Sequence, residues 1–169
     1  MGYIHDVSMS QFVEAYSFFF NAGTWTMTTA AQVLTMDRTA GDGAFWVGIP
    51  VPIPSNAVEN RGSYLKSIEV MYSITVAACD AFGAIVVYKD TLAATGTLNT
   101  AAEIVSTMDT AHDAAAERLA VDEHRMVATL TTPEWIDTDA KFSAQIYVDC
   151  AAATVVKFFG ALVNYTLRL

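Results

Sequence analysis

The densest group of side chains able to do chemistry is the stretch MDTAHDAAAER, residues 108–118, in which Asp109, His112, Asp113 and Glu117 lie close together. If 109–117 is helical, these four fall near one face and offer oxygen and nitrogen donors to a divalent cation. Their spacing matches no established metal pattern. The same residues suit a solvated segment that caps a short helix, with Asp109 or Thr110 as the cap and Glu117 beside Arg118. That reading is preferred, so no metal and no cofactor is expected.

His124 follows Asp122 and Glu123, whose carboxylates favour a charged imidazole, and reads as a pH-sensitive interface group or a strand-end surface residue. His5 stands beside Asp6 near the start. Neither histidine has a serine or cysteine nucleophile next to it in sequence, and no Gly-x-Ser-x-Gly elbow, phosphate loop or dinucleotide fingerprint occurs. A non-enzymatic protein is therefore expected. Trp25, Trp46 and Trp135, with Tyr3, Tyr16 and Tyr64, are the residues that could stack on sugars, and Trp135 in TPEWIDTDA falls on an expected loop. In a sandwich such aromatics more often serve the core or subunit contacts. His112, Asp113 and Trp135 make up the candidate recognition loop.

Elements must position these groups, and the chain is written mostly in strand patterns. In KSIEVMYSITVA, Ile68, Val70, Tyr72, Ile74 and Val76 alternate with Ser67, Glu69, Ser73 and Thr75. In AKFSAQIYVDC, Phe142, Ala144, Ile146, Val148 and Cys150 alternate with Lys141, Ser143, Gln145 and Asp149. A period of two with one wet face is a half-buried strand. AFGAIVVYKDTL and RMVATLTT are rich in β-branched and aromatic residues and read the same way. TWTMTTAAQVLTMDR offers one or two short strands, and FWVGIPVPIP an extended edge, because proline removes ladder donors. ENRGS, CDAFG, ATGTLNT and TTPEWIDTDA mark turns and loops. The expectation is an all-β, jelly-roll-like antiparallel sandwich of about eight strands over residues 22–169, with a helical turn or two within 107–123 as a surface insertion.

Residues 1–21 read as a short helix or an extended arm. Phe12, Tyr16, Phe18, Phe19 and Phe20 cannot all remain in water, and an arm would lay them on a neighbour. The last stretch, VVKFFGALVNYTLRL, poses the same question, because both of its alternating sets are apolar. One set can face the opposing sheet. The other predicts an interface between copies, formed by Phe158, Phe159, Ala161, Val163, Tyr165 and Leu167 around a symmetry axis.

Composition agrees with a chain that packs against others: 169 residues, 53% hydrophobic and 16% charged. Nine basic against eighteen acidic residues give a formal charge of -9, which repels phosphate backbones and excludes nucleic acid as a partner. No apolar run has membrane-spanning length and no basic, signal-like start occurs, so a product assembled in the cytoplasm is expected. Cys79 and Cys150 suit neither a disulfide framework nor a zinc site. They read as buried thiols in preference to a bridge.

KFFGALVNY, residues 157–165, is similar to the closing strand of tumour-necrosis-factor and complement-C1q-like trimeric domains, where an aromatic-Gly-apolar pattern runs along the threefold axis. GSYLKSIEVMYSI and HRMVATLTTPEWIDTDAKFSAQIYVD, with alanine- and threonine-rich strands, resemble small structural proteins of tailed bacteriophages. The resemblance implies a virion protein: a homotrimeric capsid decoration (cement) protein bound to the major capsid protein or another virion component, or a receptor- or glycan-binding head of a tail fibre or spike.

Overall fold

The computed structural model describes residues 5–30, 33–54, 62–93, 95–96, 101–136 and 138–168. The turns expected at 59–61 and 97–100, with Tyr3 and Leu169, lie outside the described residues. Thirteen strands are found among the described residues: β1 (Asp6–Glu14), β2 (Phe19–Phe20), β3 (Trp25–Ala30), β4 (Val33–Arg38), β5 (Gly43–Val51), β6 (Ser63–Thr75), β7 (Cys79–Phe82), β8 (Val86–Thr91), β9 (Ala102–Ile104), β10 (Ser106–Met108), β11 (Glu123–Ile136), β12 (Ala140–Cys150) and β13 (Val155–Arg168). A 3-10 turn, Ala15–Ser17, links β1 to β2, and one helical turn, α1 (Ala115–Arg118), precedes β11.

The strands form two antiparallel sheets, a β-sandwich. Seven make the first sheet in the order β10-β11-β6-β13-β4-β3, with β1 also on β13; six make the second in the order β2-β5-β12-β8-β9, with β7 on β12. The chain crosses repeatedly between sheets, so strands adjacent in sequence mostly face each other across the core. The excess over eight strands comes from short edge pieces such as β2, β7, β9 and β10.

The alternating runs fold as their patterns require. Ile68, Val70, Tyr72 and Ile74 of β6, and Phe142, Ala144, Ile146, Val148 and Cys150 of β12, are buried. Val76 departs from its set: β6 ends at Thr75, and Val76 turns out into solvent at φ 74°. The first seven residues of FWVGIPVPIP lie in β5, which pairs with β12 from Gly43 to Val51 and carries the two-residue β2 on its other side; Pro52–Pro54 follow the strand. Trp46 bonds toward Asn21 on that outer side, so Gly48 and Pro50, of the same parity, point there too. Proline is tolerated because its missing N–H falls on the exposed edge.

The final strand answers its own puzzle differently from the sequence reading. Val156 and Phe158 point into the core, and then so do Ala161, Val163 and Tyr165. The inward set changes from even to odd numbers because the pairing with β6 slips between Phe158 and Gly160. A β-bulge adds one residue and reverses the alternation beyond it. Both sets are apolar because each is the inward set for part of the strand. The interface expected from Phe158, Ala161, Val163 and Tyr165 is therefore corrected: these four fill the protomer's own core, and Phe158 is 0% exposed.

The N-terminal segment is corrected in the same way. It is neither a helix nor an arm on a neighbour; β1 pairs with β13 from Asp6↔Arg168 to Glu14↔Gly160, and β2 joins the opposite sheet. Phe18 and Phe20 pack within 5.9 Å, centroid to centroid, of Phe158, which also has Trp25 at 5.9 Å and Tyr72 at 6.1 Å. The two aromatic sets that each called for a partner supply one to the other. Phe12, Tyr16 and Phe19 remain exposed.

Candidate functional site

The polar cluster of residues 109–124 is brought together by the return of the chain from β10 through α1 into β11. His112 Nδ1–H donates to Asp109 Oδ1 at 2.8 Å, and His112 Nε2 lies 3.3 Å from His124 Nδ1. His124 Nε2–H donates to the carbonyl of Ala120 at 3.0 Å. With those outer protons assigned, the inner contact is a hydrogen bond when one of the two rings carries a proton on both nitrogens. Asp109 also accepts from the N–H groups of Ala111 (3.1 Å) and Val127 (2.7 Å). Burial pushes its carboxyl up, but the bonds from Val127, His112 and Ala111 outweigh that and hold it below the ordinary carboxylate value.

The rest of the cluster ties the insertion to the core. Tyr72 stacks between Phe82 and His124, with ring centroids at 4.3 and 4.6 Å, and donates its O–H to Arg118 O at 2.8 Å. Burial keeps that phenol protonated far above its usual range. Arg118 is buried and donates to three carbonyls: Phe82 (3.0 Å), His112 (2.6 Å) and Asp113 (2.9 Å). Glu117 accepts from the N–H of Ala114 at 3.0 Å, capping α1. Asp109, His112, Glu117, Arg118 and His124 are all engaged in internal bonds, whereas the Asp113 side chain is exposed. Neither Asp109 nor Thr110 caps the helix: α1 begins at Ala115 with Ala114 as its N-cap, Asp109 bonds the turn before it, and His112, 7% exposed, is not presented to a ligand. Among the described residues no group of three or more His, Cys, Asp and Glu converges on a cation position.

Trp135 is not on a loop. It lies in β11 opposite Tyr64, beyond an irregularity between Thr129 and Glu134 that absorbs Pro133. Its ring meets Tyr64 edge-on at 4.8 Å and rests on Gly62, where a Cβ would come within 2.3 Å of the indole. The indole is thus partly taken up by the protein itself. Trp135 pairs with Tyr64 and His124 with Tyr72, eight positions apart on β6, a separation of roughly 26 Å at the rise of a strand. The recognition loop expected from His112, Asp113 and Trp135 is corrected accordingly: the structure puts these residues at opposite ends of the sandwich.

Two exposed aromatics, Phe19 and Trp46, lie instead on the outer face of the six-stranded sheet. Phe19 is 73% exposed opposite Gly48, and Trp46 is 43% exposed opposite Tyr147, their rings 5.2 Å apart. Gln145 and Ser143 continue the same face of β12, and Tyr88 stands opposite Ser143 on β8. A cavity of about 260 Å³ lies along Phe19, Gly48, Pro50, Ser143 and Gln145. Asn21 braces the platform by accepting the Trp46 N–H at 2.7 Å. Flat aromatic surface beside amide and hydroxyl groups can stack on the apolar faces of sugar rings and bond their hydroxyls. Sequence reasoning had Trp46 among the stacking candidates and Phe19 in the arm but missed Tyr147. The signal was there: Tyr147 is the one aromatic in the wet set of β12.

Cys79 and Cys150 are buried free thiols, opposite each other across β7 and β12 with sulfurs 3.8 Å apart. Trp25 stacks on Phe20 at 3.7 Å and belongs to the core margin. No described helix is long and apolar enough to cross a membrane.

No protein-family model matches the chain, and no curated protein matches it. Solved structures resemble it in fold. The enzymatically active domain of bacteriophage CBA120 tailspike protein 4 aligns at 10% identity and a TM-score of 0.42, over 90% of this chain and 20% of that one. A carbohydrate-binding module of the β-sandwich superfamily aligns at 12% identity and 0.38, over 92% of this chain and 55% of that one. A chain of infectious bursal disease virus, Gt strain, aligns at 11% identity and 0.38, over 95% and 37%. This chain spans well under two thirds of each of these three, and what they share with it is the sandwich.

Proposed function

We propose that the protein is a non-enzymatic, glycan-binding head displayed on a virion, with the outer face of the six-stranded sheet as its platform. One observation carries this reading: exposed Phe19 and Trp46, with half-buried Tyr147, form an aromatic strip beside Ser143 and Gln145 on one face of the sheet. An exposed ring on a rigid strand loses little entropy on binding and presents a large apolar area to a sugar. Screening the protein against immobilised oligosaccharides, followed by calorimetry on the best ligand, tests it. Trp46→Ala and Phe19→Ala are expected to weaken binding at least about tenfold each without unfolding the protein. Unchanged affinity in both variants, or no glycan bound by the wild type, removes the reading.

Self-association as a homotrimer is the second reading, and with it the capsid-decoration role beside a major capsid protein. The bulge explains most of the apolar character that motivated it, but a remnant supports it: on the outer face, Phe12 of β1 is 46% exposed across from half-buried Leu162 of β13, and Phe159 is half-buried. Sedimentation at micromolar concentration decides. The reading expects an oligomer that Phe159→Asp converts to a folded monomer; a monomeric wild type ends it.

A further inference from the structure

A second cavity, of about 450 Å³, opens on the outer face of the seven-stranded sheet, lined by Asp6, Ser8, Tyr64, Lys66, Pro133 and Thr166. That volume lies in the range of small-molecule sites. It is on the opposite side of the sandwich from Trp46, so it stands independently of the aromatic platform.

Two features of this cavity point to a ligand. The first is an unmet hydrogen bond. Thr166 is 6% exposed, and among the described residues its Oγ1 has no partner. A buried hydroxyl without a partner is costly and uncommon in folded proteins; this one is closed to solvent where it stands, and it meets an acceptor from outside by turning about χ1, which no internal bond opposes. The second is an uncompensated charge. Arg168 grips both oxygens of Asp6, at 3.0 and 3.4 Å, and that bond first of all holds the Asp6 carboxyl below its ordinary value. The pair is neutral together. Lys66 forms no ion pair with any described residue, and it is the extra residue where the β6–β13 register slips, since Asn164 faces Ser67 and Tyr165 faces Leu65. Such a bulge re-aims a side chain. A chain of formal charge -9 thus presents, at this cavity, a net positive wall among three hydroxyls.

We propose that this cavity binds a sugar carboxylate, the acidic unit of a uronate-type glycan. A carboxylate supplies a single negative charge for the Lys66 ammonium and an acceptor for the Thr166 hydroxyl, while Ser8 and Tyr64 offer hydroxyls to the sugar ring. A cation is repelled by Lys66. A phosphate monoester, with nearly two charges at neutral pH, is disfavoured beside Asp6 and in the field of an acidic protein.

Titration of the folded chain with glucuronate, glucose and acetate, followed by NMR shifts, tests the proposal. Glucuronate is expected to saturate the site in the millimolar range, with glucose and acetate each at least about tenfold weaker. Lys66→Glu, at an exposed position, is expected to abolish binding. Thr166→Val is expected to weaken it about tenfold while leaving Tm unchanged or raised, because the removed hydroxyl has no internal partner. Glucose binding as well as glucuronate, acetate binding as well as glucuronate, an unaffected Lys66→Glu protein, or no saturable binding by about 10 mM would each overturn the proposal. A Thr166→Val protein with a lowered Tm and intact binding would overturn the role of that hydroxyl.

Discussion

Phe158 and Phe159 are neighbours in sequence and opposites in consequence. Phe158 touches four other aromatic rings and is wholly buried, so Phe158→Ala leaves a cavity at the hub of the core. A loss of about 3–5 kcal/mol is expected from denaturant titration. Phe159→Asp, on the outer side of the bulge, is expected to cost about 1 kcal/mol in the same measurement. Equal losses would mean that the bulge is misplaced. Asp109 sets a second residue-scale outcome. Its folded carboxyl lies below the ordinary value of 3.8, despite the burial that opposes this, because Val127, His112 and Ala111 bond the ionised form. A depressed carboxylate contributes stability that is fully present above the unfolded value and lost as pH falls through the lower folded one. Wild-type stability is therefore expected to drop as pH falls below 3.8, and Asp109→Asn to drop less over the same window. Urea titrations of both proteins between about pH 5 and pH 2 check this; parallel curves would contradict it.

At the scale of elements, β13 depends on one glycine. Gly160 sits at φ +141°, and a Cβ there would meet Val13 O at 2.7 Å and Phe12 Cζ at 2.6 Å. The phenyl ring can move but the carbonyl of β1 cannot, so Gly160→Ala should strain the bulge and loosen β1 from β13, at a cost of about 2 kcal/mol or more. Hydrogen exchange should show the loss first at Val13 and its neighbours; full protection there would rule it out. The same glycine explains what could and could not be read beforehand. β12, and β6 from Ser67 to Thr75, were legible because their alternation runs unbroken there, and with them the sandwich. β13 was not: a bulge leaves no mark in the apolar pattern except a glycine inside a strand, and unbroken alternation turned one core strand into an apparent interface. β1 carried its signal in Val7, Met9 and Val13 alternating with Ser8 and Ser10, but the following aromatics drew attention to a partner outside the protomer. Trp135 was misread because Pro133 looked like a loop and proved to be absorbed in an irregular strand. The contact between His112 and His124 joins residues twelve apart through the turn before β11, a distance that no helical or strand period predicts.

For the whole molecule, the connectivity couples the two sheets. β5, β6 and β7 lie in alternate sheets, and so do β11, β12 and β13, so neither sheet can separate without pulling strands of the other. Unfolding is expected to be a single cooperative transition. Two reporters at different places in the sandwich can test this. Trp25 packs edge-on against Phe45 at 5.2 Å and reports on the core near β3 and β5. Cys79 and Cys150 are buried where β7 meets β12, and the contact between the sulfurs, with burial second, keeps the Cys79 thiol protonated and unreactive. Alkylation of both thiols should stay slow in the native protein and rise at the denaturant concentration where tryptophan fluorescence changes. β7 is four residues long and held by few ladder bonds, which makes it able to open alone. If both cysteines react well below the fluorescence midpoint, β7 opens as a separate unit, and the coupling of the sheets does not extend to that edge.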